Sequence, residues 1–256
     1  MTKAKSSKST PYRVRESARA KHVSIRVSHF GEVEVVVPRG FDLRRIPEIL
    51  HKRQDWIAKT TQRLVAERRS LTHSITGAPS CDLTQPIFPE QIHLRSLLED
   101  WDVKYDFTPA VSPITARTLS ARKLLVQGEM DETACYQLLK LWLKRKAELH
   151  LIPWLRLVSQ EVELPCDKIS VRAQKTIWAS CSGRKNVSLN LKLLFLPPHL
   201  VRYVFIHELC HTIHLNHSRN FWSLVEEKEP DYRLLDTELN KGWVYIPEWL
   251  EKAADL

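Results

Sequence analysis

The chain has 256 residues, 43% of them hydrophobic, which is enough to bury a sizeable core as one compact unit or as two small domains. No apolar run approaches the ~20 residues needed to span a bilayer, so no membrane helix is expected. Thirty-nine Lys and Arg against thirty Asp and Glu leave a formal charge of +9, which admits an anionic partner without requiring one.

Residues 1–19 are basic and Ser-rich but lack the apolar core of a secretory signal. They read as a disordered arm, although the composition also fits a mitochondrial presequence. Val23–Val27 and Val33–Val37 flank His29-Phe30-Gly31 and predict a β-hairpin. Asp42–Arg69 reads as one helix with Ile46, Ile49, Leu50, Trp56 and Ile57 on its apolar face. Residues 72–92, punctuated by Pro and Gly, read as a linker or long loop. Trp101–Phe107 alternates as a strand, with Lys123–Val126 as a candidate neighbour. Asp131–Val158 predicts a long helix, with Leu138, Leu139, Trp142, Leu149 and Leu155 available for packing and a break expected at Pro153. Short strands over Lys168–Arg172 and Val187–Leu191 bracket the Trp178–Lys185 connection.

The next segment carries the chemistry. Pro197-Pro198 suits the first turn of a helix, and Leu200–Ile206 is apolar, so the helix should be buried. It ends in His207-Glu208-Leu209-Cys210-His211, the pattern His-Glu-x-x-His. Positions i and i+4 share one helix face, so both imidazoles can reach one ion while the carboxylate between them polarises a bound water. Zinc (Zn2+) is the expected cofactor, with Glu208 as general base. A hydrolytic zinc site takes a third protein ligand. His214 lies seven residues after His207, about 10 Å along a straight helix, which strains a shared site. His217 is the better choice if Asn216 turns the chain in the left-handed conformation. The rivals are the downstream carboxylates Glu226, Glu229 and Glu238. Ser218 is placed to cap a helix that Pro230 stops, and Asp231 begins another that ends at Gly242. Oxyanion stabilisation needs a further donor, for which Tyr232, Arg184, Tyr245 and His199 are equal candidates.

The series Trp178–Gly183, Asn186–Asn190, Leu196-Pro197-Pro198, His207–His211, Asn216-His217-Ser218 and Phe221-Trp222 resembles, in order and spacing, the YgjP-like branch of the SprT-like zinc metallopeptidases. The resemblance is strong over about residues 167–241 and looser over about 22–60. Ala179 stands where the family commonly has Gly, and Cys210 where a small Ala is usual. The resemblance implies a cytoplasmic zinc peptidase with His207, His211 and His217 on the metal and Glu208 as base. It also makes the Trp178–Lys185 segment a candidate edge for holding an extended substrate, the plainer reading being that Trp178 packs under the zinc helix. The fold class expected is α+β. A basic arm over 1–21 precedes an N-terminal hairpin and helix region over 22–128, then a zincin-like metallopeptidase core over 129–256 whose active-site helix packs on a short sheet.

Cys81, Cys135, Cys166, Cys181 and Cys210 are odd in number, scattered and without a Cys-x-x-Cys pair, which points to reduced thiols and a cytoplasmic setting. The function expected is hydrolysis of peptide bonds in a peptide or protein substrate. Two alternatives stand beside it: a metal-dependent nucleoside triphosphate pyrophosphohydrolase, and a non-catalytic zinc module that binds nucleic acid through basic surfaces. No Gly-rich phosphate loop supports the first. A free carboxylate beside the metal opposes the second, because structural zinc sites are closed by a fourth protein ligand. Nucleic acid remains a candidate partner on charge alone.

Overall fold

The computed structural model describes residues 12–28, 31–76, 88–108, 114–119 and 122–252. The chain forms two compact units, Met1–Cys81 and Asp82–Leu256.

In the first unit, β1 (Tyr12–Ser17), β2 (Ser24–Val27) and β3 (Val33–Pro38) form a sheet of order β1-β3-β2. The expected hairpin is β2 and β3, paired antiparallel from Ser24↔Val36 to Val27↔Val33. Gly31 takes φ 83°, the left-handed turn position that glycine occupies without steric cost. The other neighbour of β3 is β1, paired parallel from Tyr12↔Val33 to Ser17↔Pro38 within the arm expected to be disordered. Its side chains are exposed on both faces except at Ser17, so it carries none of the alternation by which a strand is recognised. Val35, Val37 and Ile46 form the core, with Val23, Phe41 and Leu50 half-buried around it. The single helix expected over 42–69 is interrupted. A 3-10 turn, capped by the Asp42 carboxylate accepting from the Arg44 N–H at 3.0 Å, leads into α1 (Ile46–Lys52), and α2 (Gln54–Thr76) follows a break at Arg53. Ile57 is buried, but Trp56 is 46% exposed and does not join the core.

The second unit opens with a mixed sheet of order β4-β5-β7-β6, built from β4 (Gln91–Leu94), β5 (Glu99–Asp106), β6 (Thr115–Leu119) and β7 (Lys123–Gln127). β5 and β7 run parallel, and β4 and β6 flank them antiparallel. Ser96, in the turn after β4, donates its hydroxyl to the Leu194 carbonyl at 3.1 Å, tying this sheet to the segment that feeds the His-Glu-x-x-His helix. The sheet therefore belongs with that helix, in the unit Asp82–Leu256.

α3 (Glu132–Glu161) is capped by the Asp131 carboxylate, which accepts from the N–H groups of Thr133 and Ala134. It runs through Pro153 unbroken. Leu143, Ala147, Leu151, Leu155 and Val158 form one continuous buried stripe across the proline, and burying that stripe outweighs one missing helical hydrogen bond. Leu149 lies off the stripe and is 70% exposed. A second sheet, order β8-β10-β9, comprises β8 (Ile169–Arg172), β9 (Ala179–Cys181) and β10 (Val187–Asn190). A buried 3-10 stretch, Leu191–Phe195, leads to α4 (Pro198–Cys210), α5 (Arg219–Lys228), α6 (Tyr232–Leu239), a 3-10 turn at Gly242–Tyr245 and α7 (Trp249–Lys252). The architecture is α+β, as expected.

Candidate metal centre

α4 begins at Pro198, where a missing N–H costs nothing, and buries Leu200, Val201, Tyr203, Val204, Phe205, Ile206, Leu209 and Cys210. Trp154 of α3 meets Phe205 edge-on at 5.3 Å, and Arg202 grips Glu161 with two guanidinium hydrogen bonds of 2.8 Å. The helix that carries the two motif histidines is thus fixed along its length before it reaches them.

The ligating nitrogens of His207, His211 and His217 all lie within 4.8 Å of one another. His207 Nε2 and His217 Nε2 are 3.1 Å apart. Two nitrogens on one tetrahedral zinc at 2.0–2.1 Å are separated by about 3.3 Å, so this spacing fits a shared ion. Burial, then the neighbouring His211 and His217, pushes the His207 imidazole down to about 3, and burial likewise lowers His211. Both are neutral near pH 7, the form that binds metal. The Nδ1–H of His211 donates to the His214 carbonyl at 2.9 Å, which leaves Nε2 to face the other two rings. Residue 214 therefore meets the group through its main chain.

His217 reaches the group by a different route from the one expected. Asn216 is not among the residues in the left-handed conformation. The chain leaves α4 through tightened i to i−3 bonds, Thr212 N–H to Leu209 and Ile213 N–H to Cys210, while the Thr212 hydroxyl donates to the Leu209 carbonyl at 2.7 Å. These bonds satisfy the terminal carbonyls without a left-handed residue. Ser218 then caps α5, its hydroxyl accepting from the Phe221 N–H at 3.4 Å. Phe221 is fully buried and touches all three imidazoles, stacking on His211 at 4.4 Å. No carboxylate joins the group among the described residues: Glu238 holds His199 at 2.9 Å, and Glu226 lies 3.9 Å from Arg233.

Glu208 is buried, and its Oε2 has no hydrogen-bond partner. Burial raises its carboxyl to about 7, opposed by a hydrogen bond from the Cys181 backbone N–H. That N–H belongs to β9, the edge strand of its sheet. Ser182 N–H and the Trp178 carbonyl bond toward the β10 side, at Asn186 and Asn190, whereas Cys181 N–H turns outward to the carboxylate. A buried carboxyl with an orphaned oxygen, next in sequence to the first of three convergent imidazoles, is a group placed to exchange protons.

A scan against family models matches the YgjP-like metallopeptidase domain over residues 21–242. The chain belongs to the YgjP-like metallopeptidase family. It is accordingly a hydrolase of the peptidase class whose chemistry calls for a metal ion. No curated protein matches the chain. Among solved structures, the metallopeptidase zymogen abylysin of Pyrococcus abyssi is 24% identical over 33% of this chain and 87% of its own, with a TM-score of 0.30.

The other predicted residues of this YgjP-like chain separate clearly. Trp178 stacks on Trp243 at 4.1 Å, so its ring packs on the 3-10 turn at Gly242–Tyr245. Burial, then the charges of Glu208 and Cys166, push the Cys181 thiol up to about 11, away from the thiolate form that a nucleophile needs. Of the four oxyanion candidates, His199 is engaged with Glu238, Tyr245 lies beneath Arg95, and Arg184 sits in the turn after β9. Tyr232 stacks on Trp222, which in turn faces His217 and His207. Two contributors were not read from sequence. Tyr203, one turn before His207, was within reach of a helical argument; its partner Asp236, 33 residues later, gave no signal. Among the described residues, no helix is long and apolar enough to cross a membrane.

Proposed function

We propose that the chain is a zinc-dependent peptidase in which His207, His211 and His217 hold the ion and Glu208 is the general base. The convergence of three imidazole nitrogens within 4.8 Å of one another, beside a buried carboxyl with an orphaned oxygen, carries the proposal. Zinc bound by such a set supplies Lewis-acid polarisation and lowers the pKa of a water toward 7. Glu208 takes the proton from the attacking water and returns it to the leaving nitrogen, a task suited to a carboxyl whose pKa is near 7. His214 and Phe221 orient the imidazoles through the carbonyl contact and the stacked ring. The outer edge of β9, where the Cys181 N–H meets Glu208, is the main-chain edge along which an extended peptide would lie. The free cysteines among the described residues, Cys135, Cys166, Cys181 and Cys210, suit a cytoplasmic setting.

The test is mass-spectrometric mapping of new N-termini in a denatured cell-protein extract, comparing zinc-loaded wild type with Glu208→Gln. New termini are expected with wild type only, while both proteins retain metal. Equal cleavage by the two would remove Glu208 from its role, and no cleavage by either would overturn the peptidase reading.

A further inference from the structure

We propose that the N-terminal unit docks single-stranded nucleic acid on the face of α2 that carries Trp56, Lys59 and Arg63. The proposal starts from an uneven distribution of charge. Residues 1–81 hold 17 Lys and Arg against 7 Asp and Glu, or +10, whereas residues 82–256 hold 22 against 23, or −1. The entire basic excess of the chain therefore lies in the unit that does not contain the metal centre. Every Lys and Arg of that unit whose side chain is described is exposed. A stretch of this length with a charge near +10 concentrates polyanions around it.

The face is singled out by its aromatic residue. α2 turns its apolar side inward at Ile57, with Leu64 half-buried two turns later. Successive helical residues advance by about 100°, so Trp56, Lys59 and Arg63 fall within an arc of about 60° on the side away from Ile57. Trp56 is 46% exposed, one residue before the buried Ile57. A flat ring followed along the same face by two cations, about 4.5 and 10.5 Å further along the axis, provides a base-stacking platform with phosphate ligands beside it. Stacking requires an unpaired base, which selects single strands over duplex. An anionic bilayer fits less well, because an interfacial helix needs a broad apolar stripe and this one offers Trp56 among cations. The proposal does not depend on whether the metal centre cleaves peptides.

The experiment uses the full chain and a fluorescein-labelled dT20 oligonucleotide, with anisotropy read from 50 to 200 mM NaCl. Wild type is expected to bind, with affinity falling linearly in log–log form as salt rises. Lys59→Glu/Arg63→Glu should lose at least about tenfold at 50 mM and flatten the salt slope by about 1 to 2. The neutral pair Lys59→Gln/Arg63→Gln keeps the test available should charge reversal disturb the helix. Trp56→Ala should weaken dT20 several-fold with the slope unchanged, because stacking releases no counterions, and should leave duplex binding unaffected. Absence of dT20 binding at 50 mM NaCl, or undiminished binding by both charge variants, overturns the proposal. So does co-sedimentation with phosphatidylserine vesicles without oligonucleotide binding, which would assign the face to a membrane surface.

Discussion

Tyr203 on α4 donates its hydroxyl to the Asp236 carboxylate on α6 at 3.1 Å. The phenol is fully buried one turn before His207, with its ring edge-on to that imidazole at 6.1 Å. Burial, then the Asp236 charge and hydrogen bond, holds it far above its ordinary pKa, so it stays a donor. Asp236→Ala leaves this buried hydroxyl without an acceptor and should cost about 1–3 kcal/mol in urea unfolding. Tyr203→Phe removes the donor as well as its need and should cost about 1 kcal/mol. Adding it to Asp236→Ala should therefore cost less than the sum of the single changes. Additivity would show that the pair is not coupled.

Metal retention should divide the histidines of the α4–α5 loop. His217→Ala removes a nitrogen 3.1 Å from His207 Nε2, and its effect on zinc affinity should exceed the roughly 10–100-fold typical when a ligand loses a hydrogen-bond partner. His214→Ala should leave affinity within a few-fold of wild type, since residue 214 acts through its carbonyl. Competition with a chromophoric chelator reads both. Parity between the two variants would move the third ligand elsewhere.

How far the site was legible follows from which contacts are local. His207 and His211 share a helix face, and the apolar run before them fixes the helix, so that pair is readable from spacing. His217 depends on a loop, and the chain turns there through Thr212 and the i to i−3 bonds instead of through a left-handed Asn216. Similar limits shape the fold. The β2–β3 hairpin announces itself by alternation and a glycine turn. β1, exposed on both faces and paired parallel, carries no pattern of its own. The place of the β4–β7 sheet rests on a contact between Ser96 and Leu194, 98 residues apart, which no window along the chain can contain.

The pair linking that sheet to α3 should give the acid limb of stability a visible step. Glu99 Oε2 accepts from Trp101 Nε1 at 2.7 Å and from Lys146 Nζ at 3.1 Å, and the Lys146 ammonium lies over the Trp101 ring at 4.3 Å. Burial raises the Glu99 carboxyl, but the hydrogen bonds from Trp101 and Lys146, together with the Lys146 charge, outweigh it and leave the group below its ordinary value of 4.5. A carboxyl depressed on folding contributes stability that is complete above its unfolded pKa and is lost as pH falls through the lower folded value. Wild type should thus lose stability below about pH 4.5 more steeply than Glu99→Gln. At pH 7 that variant should be about 1–2 kcal/mol less stable, the scale of a hydrogen bond to a charged group. Parallel pH profiles of urea midpoints would rule out the linkage.

Pro153 offers the opposite sign. It is exposed in the middle of α3, where it cannot donate to the Leu149 carbonyl and its ring crowds the preceding turn. Proline in an unconstrained helix interior costs about 3 kcal/mol relative to alanine. Replacement also frees the unfolded chain, which returns about 0.4–1 kcal/mol of entropy to that state. Pro153→Ala should therefore stabilise the chain by about 2 kcal/mol, seen as a higher urea midpoint at unchanged slope. Leu151 and Leu155, on either side of the proline, are completely buried, and Trp154 between them packs on Phe205 of α4. If the variant is instead less stable, the fixed φ of Pro153 is what holds these side chains in register with the metal helix, and zinc affinity should fall with stability.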